Sequence, residues 1–190
     1  MKQIDSKLYD TLREEQLSRD VIYEGSVLNV MRDTVRLPNG SISHREIALH
    51  IGAVAIIPVL ADGRVIMERQ FRYAHSRVFL EIPAGKLDTP DEDPLSAAKR
   101  ELREETGAIA ERLTYLGEID TTPALMNEKI HLYLAEGITF GERHLDDDEF
   151  LDVELIPLAT LVEMVMSGDI KDAKTQLAIL KADKILKARS

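Results

Sequence analysis

Residues 81–108 read EIPAGKLDTPDEDPLSAAKRELREETGA, and the fold is decided by how this stretch is punctuated. Asp93 is a good N-cap, Pro94 suits a first helical position, strong helix formers run to Thr106, and Gly107 stands where a left-handed C-terminal cap is expected. The stretch is therefore predicted as loop, helix, loop. On that helix Glu101 and Glu105 lie four residues apart on one face with Glu104 beside them, an arrangement that like-charge repulsion disfavours. Arg100 can pair with Glu104 at the same spacing. The remaining carboxylates are either a solvated acidic face or a hard-oxygen site for a divalent cation such as Mg²⁺.

Gly85, Glu92, Arg100, Glu101, Leu102, Glu104, Glu105, Gly107 and Ala108 resemble the Nudix box, the signature of hydrolases that cleave a nucleoside diphosphate linked to another group. The helical half matches throughout. The loop departs once, because six residues rather than five separate Gly85 from Glu92, and Asp91 could fill the regular acidic place.

The chain on either side reads as runs of strands followed by helices, in mixed order. Residues 5–18 suggest a short helix. VIYEGSVLNVMRDTVRLPNG and SISHREIALH alternate like strands about a turn at Pro38-Asn39-Gly40. GAVAIIPVL and RVIMERQF form a hairpin over Ala61-Asp62-Gly63, and RVFLEIP leads into the acidic loop. ERLTYLGEID, EKIHLYLAEGI and DVELIPL are further strands, with the polar loop GERHLDDDEF before the last of them. The C-terminal part has helical periodicity, Asp172 being a possible N-cap and Ala173, Leu177, Leu180 and the stem of Lys184 a candidate packing face. Mixed strands and helices predict an α/β (α+β) protein, an α/β/α sandwich around a mixed sheet, in agreement with the Nudix fold that the resemblance implies. An N-terminal antiparallel sheet is expected over residues 1–50 and the hydrolase domain over 51–190.

Outside the box, ERQFRY at 68–73, EIPAG at 81–85, Pro123 sixteen residues after Gly107, EKIHLYLA at 128–135 and SGDIKDAKT at 167–175 are similar to the ADP-ribose pyrophosphatase and nucleoside diphosphate sugar hydrolase branch. That resemblance implies Mg²⁺, with Mn²⁺ as an alternative, held by Glu101, Glu105 and the backbone carbonyl of Ala84. Glu104 and Glu105 would serve catalysis together with an acid of the 146–149 loop. Asp147 matches the branch's catalytic position and Glu149 has the matching side-chain length. Arg45, Glu46 and Arg72 would contact substrate, and Glu81 would orient substrate or water or make a structural ion pair. A homodimer is implied, with the N-terminal sheet as interface. The leading substrate is ADP-ribose, cleaved to AMP and ribose 5-phosphate. The alternatives are another nucleoside diphosphate sugar such as GDP-mannose, and a non-catalytic ADP-ribose-binding module.

Composition limits other functions. A net charge of −10 over 190 residues disfavours broad binding to nucleic acid or an anionic membrane. There is no cysteine, hence no disulfide or thiol nucleophile. No apolar run approaches a membrane span and the N-terminus lacks a signal-peptide core, so a cytoplasmic protein is expected. The five histidines show no metal-ligand spacing; His50 and His131, in or beside apolar strands, read as packed groups.

Overall fold

The computed structural model describes residues 6–145 and 149–189. The chain divides into two compact units, Met1–His50 with Thr122–Glu128, and Ile51–Thr121 with Lys129–Ser190.

In the first unit a short helix α1 (Ser6–Leu12) precedes an antiparallel sheet of β1 (Glu15–Glu24), β2 (Asn29–Arg36) and β3 (Ile42–Leu49), ordered β1-β2-β3. The helix expected over 5–18 is thus shorter, and from Glu15 the chain already belongs to β1. The hairpin between β2 and β3 closes where Asn-Gly predicted it: Gly40 has φ 84°, and the Asn39 side chain accepts bonds from the Ser41 amide at 3.0 Å and hydroxyl at 2.7 Å. Register is pinned by Arg19, whose Nε and Nη2 reach the two oxygens of buried Asp33 at 2.7 and 2.8 Å. That fork outweighs burial and holds the Asp33 carboxyl below its usual value. Residues 122–128 join this unit by backbone bonds between Ala48 and Leu125 and between Asn127 and Ala48.

The second unit contains β4 (Ala53–Pro58), β5 (Arg64–Arg72), β6 (Arg77–Glu81), β7 (Ala84–Lys86), α2 (Pro94–Thr106), β8 (Ala108–Asp120), β9 (Lys129–Phe140), β10 (Leu151–Pro157), α3 (Leu158–Ser167) and α4 (Ala173–Lys187). A mixed four-stranded sheet runs β7-β4-β9-β8, with β4 parallel to β9, and an antiparallel sheet runs β10-β5-β6. β4 is apolar at every position because both faces are covered. Ala53, Ala55 and Ile57 enter a core with α3 and α4, while Val54 and Ile56 enter a second core under α2. β5 and β9 divide in the same way, with Val65 and Met67 set against Ile66, and Leu132 and Leu134 set against Tyr133. This is the expected α/β/α arrangement; each fully buried Ile or Leu contributes about 2 kcal/mol of burial free energy.

Two details differ from the pattern reading. The short strand β7 has no signal in the periodicity; it exists because Ala84–Lys86 pairs with Ala53–Ala55. On α4 the buried side is Lys174, Thr175, Ala178, Ile179 and Ala182, one position round from the expected stripe, while Ala173, Leu180 and Lys184 are exposed. The hydrophobic pattern alone placed Lys174 outside, and an ion pair brings it in. Among the described residues no helix is long and apolar enough to cross a membrane.

Candidate active site

α2 is capped as its sequence demands. The Asp93 carboxylate accepts from the Ser96 amide at 3.0 Å, and Gly107 adopts φ 71° while donating to the Arg103 carbonyl. The buried side of α2 therefore carries Ala97, Ala98, Leu102 and Thr106 into the core, and with them Glu101 and Glu105, only 8% and 3% exposed. Two acids on a buried face are not a solvated stripe. Glu105 accepts from the Ala84 amide at 2.9 Å. Glu101 stands against Gly85 so closely that a Cβ there would lie 2.0 Å from its carboxyl carbon. Gly85 thus forms a cradle that only a glycine leaves open for this carboxylate.

Arg100 ties the loop to the helix. It bonds Glu101 at 2.7 Å, Glu104 and Glu92 at 3.2 Å, and the Lys86 carbonyl at 3.4 Å. Glu92 is the loop acid that Arg100 reaches, while Asp91 is exposed; Glu92 also accepts from the Asp88 amide at 2.7 Å.

Facing these groups are the side chains of β5 and β6. Glu68 lies directly opposite Glu81 in the strand register, so both project to the same face. Glu81, 4% exposed, receives a two-pronged bond from Arg72, Nε to Oε1 and Nη2 to Oε2, both 2.8 Å, and a third from Lys174. Burial pushes the Glu81 carboxyl up, but Arg72 and Lys174 outweigh it and hold the group down at about 2. Glu68, 3% exposed, has no such partner, and its Oε1 has no hydrogen bond among the described residues. The pattern reading missed Glu68 and Lys174. Period two back from Arg72 along β5 was the available signal for Glu68; for Lys174 it was a cation beside the N-cap within a segment otherwise suited to burial.

The loop after β9 is anchored to α2. Gly141 donates to the Gly107 carbonyl at 2.7 Å and His144 to the Glu104 carbonyl at 3.1 Å, while Arg143 bonds the Leu151 carbonyl at 3.1 Å. Glu149 is half-buried, and its charge acts on Glu68, Glu101 and Glu105. Asp147 lies outside the described residues. Arg45 and Glu46 belong to the first unit, where Arg45 is engaged by Glu14 and Ser43 and Glu46 is exposed opposite Arg32.

Burial raises the Glu101 carboxyl to about 7, against the pull of Arg100. Burial also raises Glu68 and Glu105, and each acid's charge raises its neighbours further. A carboxylate cluster of this kind is relieved by a proton or by a cation. Among the described residues no group of three or more acids and imidazoles is already arranged to hold a metal ion. The hard-oxygen donors, the cradle at Gly85 and the unpartnered Glu68 oxygen all fit a divalent cation.

A helix of buried glutamates fed by a glycine-bearing strand end, with an arginine fork opposite, defines the class. The NUDIX domain matches residues 49–176, and the chain belongs to the Nudix family, whose hydrolases are generally dependent on a divalent metal. It is a pyrophosphohydrolase of that family. The N-terminal domain of nucleoside diphosphate sugar hydrolases matches residues 14–47. Among similar proteins, the ADP-ribose pyrophosphatase of Bacillus subtilis (strain 168) is 42% identical over 171 residues, 89% of this chain and 92% of that protein. The methanol dehydrogenase activator of Bacillus methanolicus is 39% identical over 168 residues, 87% of this chain and 90% of that one. A crystal structure of an ADP compounds hydrolase superposes with a TM-score of 0.83 over 94% of this chain and 96% of that chain; at 23% identity it shows a shared fold.

Proposed function

We propose that the protein hydrolyses the pyrophosphate bond of ADP-ribose to AMP and ribose 5-phosphate. The observation that carries the chemistry is the pair of buried carboxylates, Glu101 and Glu105, gathered against Ala84 and Gly85 in a Nudix chain. The choice of ADP-ribose rests on the similarity to the Bacillus subtilis protein of that name.

Glu101, Glu105 and the Ala84 carbonyl would hold Mg²⁺, which supplies charge neutralisation at the pyrophosphate and acidity for the attacking water. Arg100 pre-orients Glu101 and Glu104. Arg72, with Nε and Nη2 committed to Glu81, presents its remaining nitrogen and its charge to phosphate oxygens. An acid of the 146–149 loop takes the proton from water. Glu149 is a candidate by side-chain length, with its charge felt at Glu101 and Glu105, and Asp147 is a candidate by position. Water adds to phosphorus, the bridging oxygen leaves with one phosphate, and the proton taken up is returned to that product.

Arg45 and Glu46 complete substrate binding in a homodimer built on residues 1–50. The support is β1, exposed at all ten positions, including Val21, Ile22 and Tyr23, at the edge of its sheet. A cytoplasmic location accords with the lack of cysteine.

A second reading, hydrolysis of another nucleoside diphosphate sugar such as GDP-mannose, is favoured by the match at residues 14–47. The test is to incubate the protein and Mg²⁺ with ADP-ribose and with GDP-mannose, and to measure phosphate released after phosphatase treatment. A kcat/KM for ADP-ribose at least tenfold higher supports the proposal, and the reverse order transfers it to the second reading. No turnover on any such compound would leave only a binding module, which the retention of Glu101, Glu104 and Glu105 argues against.

A further inference from the structure

The segment Asp172-Ala173-Lys174-Thr175 opens α4, far in sequence from the box, yet it is bonded to the strand end that precedes Ala84. Asp172 caps the helix by accepting from the Thr175 amide at 3.0 Å, and its same oxygen accepts from the Lys174 ammonium at 2.9 Å. Thr175, fully buried, uses its hydroxyl to accept the Ile82 amide at 3.0 Å. Lys174, 9% exposed, reaches Glu81 Oε2, the oxygen that also receives Nη2 of Arg72. Four alternating charges thus form a chain, Asp172, Lys174, Glu81 and Arg72, that starts at a helix cap and ends at a guanidinium 41% exposed.

Such a chain is a poor device for stability, since desolvation offsets most of the attraction within a buried ion pair. Its consequence is geometric and electrostatic. With Arg72 alone beside it, Glu81 would cancel the arginine's charge and would be fixed only by a side chain that is itself half in water. Lys174 gives Glu81 a second, buried counterion anchored on a rigid helix end. The carboxylate is then held in one orientation, the fork of Arg72 is aimed by it, and Arg72 keeps attraction for an anion.

We propose that Lys174 is a positioning residue for substrate binding: held by Asp172, it fixes and neutralises Glu81 so that Arg72 is aimed at, and charged toward, the substrate's phosphates. This rests on the reading that Arg72 contacts substrate. It adds a member to the site from α4, an element that otherwise serves the core.

The experiment is a mutant cycle, measuring KM and kcat on ADP-ribose, binding of its α,β-methylene analogue by calorimetry, and thermal stability. Lys174→Met is expected to raise KM and the analogue's Kd on the order of tenfold while kcat stays within about threefold, because uniform binding is lost rather than chemistry. In a Glu81→Gln background, where the charge that Lys174 balances is gone, the same substitution should change KM less than about twofold. Lys174→Gln serves if the Met variant folds poorly, and the double variant removes both charges together. An unchanged KM in Lys174→Met, or an effect that persists in full in the Glu81→Gln background, overturns the proposal and leaves Lys174 a structural group. Arg72→Ala separates the two levels. If its KM is unchanged, the substrate reading of Arg72 fails; if it rises while Lys174→Met does nothing, only the positioning role fails.

Discussion

Gly85→Ala tests the site through one methyl group. An ideal Cβ at Gly85 lies 2.0 Å from the Glu101 carboxyl carbon and 2.2 Å from each of its oxygens. Ordinary contact begins at about 3.4 Å, so the carboxylate must retreat by about 1.4 Å, the difference from the 2.0 Å separation. Gly85 has no positive φ, so alanine strains no backbone there. The atoms displaced are the far end of a flexible side chain, and the stability loss should stay near about 1 kcal/mol. Function should not be so tolerant. A cation ligand moved by more than an ångström typically costs on the order of 10² in rate, so kcat/KM should fall by about 10²–10³, with weaker apparent Mg²⁺ affinity. The assay pairs ADP-ribose turnover across Mg²⁺ concentrations with Mn²⁺ binding by electron paramagnetic resonance and a thermal melt. A variant with wild-type turnover and cation affinity would refute the placement of Glu101 as a ligand; a variant that melts well below wild type would refute the claim that only its tip yields.

Glu105→Gln should keep the fold and lose about 10³ or more in kcat, and near wild-type turnover at saturating Mg²⁺ would remove Glu105 from the site. Of Asp147→Asn and Glu149→Gln, one should lower kcat sharply with little change in Mn²⁺ binding; full activity of both across pH would move the base to Glu104. In chelator-treated protein, Glu101 has a folded value of about 7, above its ordinary 4.5, so the folded state holds the proton longer. Its contribution is therefore present below about pH 4.5 and is lost as pH rises through about 7. The melting temperature should accordingly fall between pH 5 and 8, with added Mg²⁺ raising it more at pH 8 than at pH 5, and equal Mg²⁺ shifts at both would contradict this. Light scattering should find a dimer. Mixing inactive Arg45→Ala with inactive Glu105→Gln protein by unfolding and refolding should restore roughly a quarter to a half of activity if sites are shared; mixtures that stay inactive would rule sharing out.

Much of this protein was legible in the sequence, and for local reasons. The ends of α2 are written in Asp93, Pro94 and Gly107, the β2–β3 turn in Asn39-Gly40, and the two-sided burial of β4 in an unbroken apolar run, because caps, turns and periodicity act over a few residues. The spacing of Glu101 and Glu105 pointed to a shared face. Whether that face met water or the core was open, since spacing fixes direction around a helix and not what lies opposite. Only the tertiary structure supplied the answer, by packing α2 so that both carboxylates are buried beside Ala84. It likewise set Glu92 within reach of Arg100, brought Glu68 into register with Glu81, and turned α4 by one position to carry Lys174 inward to a partner 93 residues away. A hydrophobic pattern counts a lysine as surface. It becomes interior only when a distant carboxylate, itself buried by a strand pairing, offsets the cost of removing the ammonium from water.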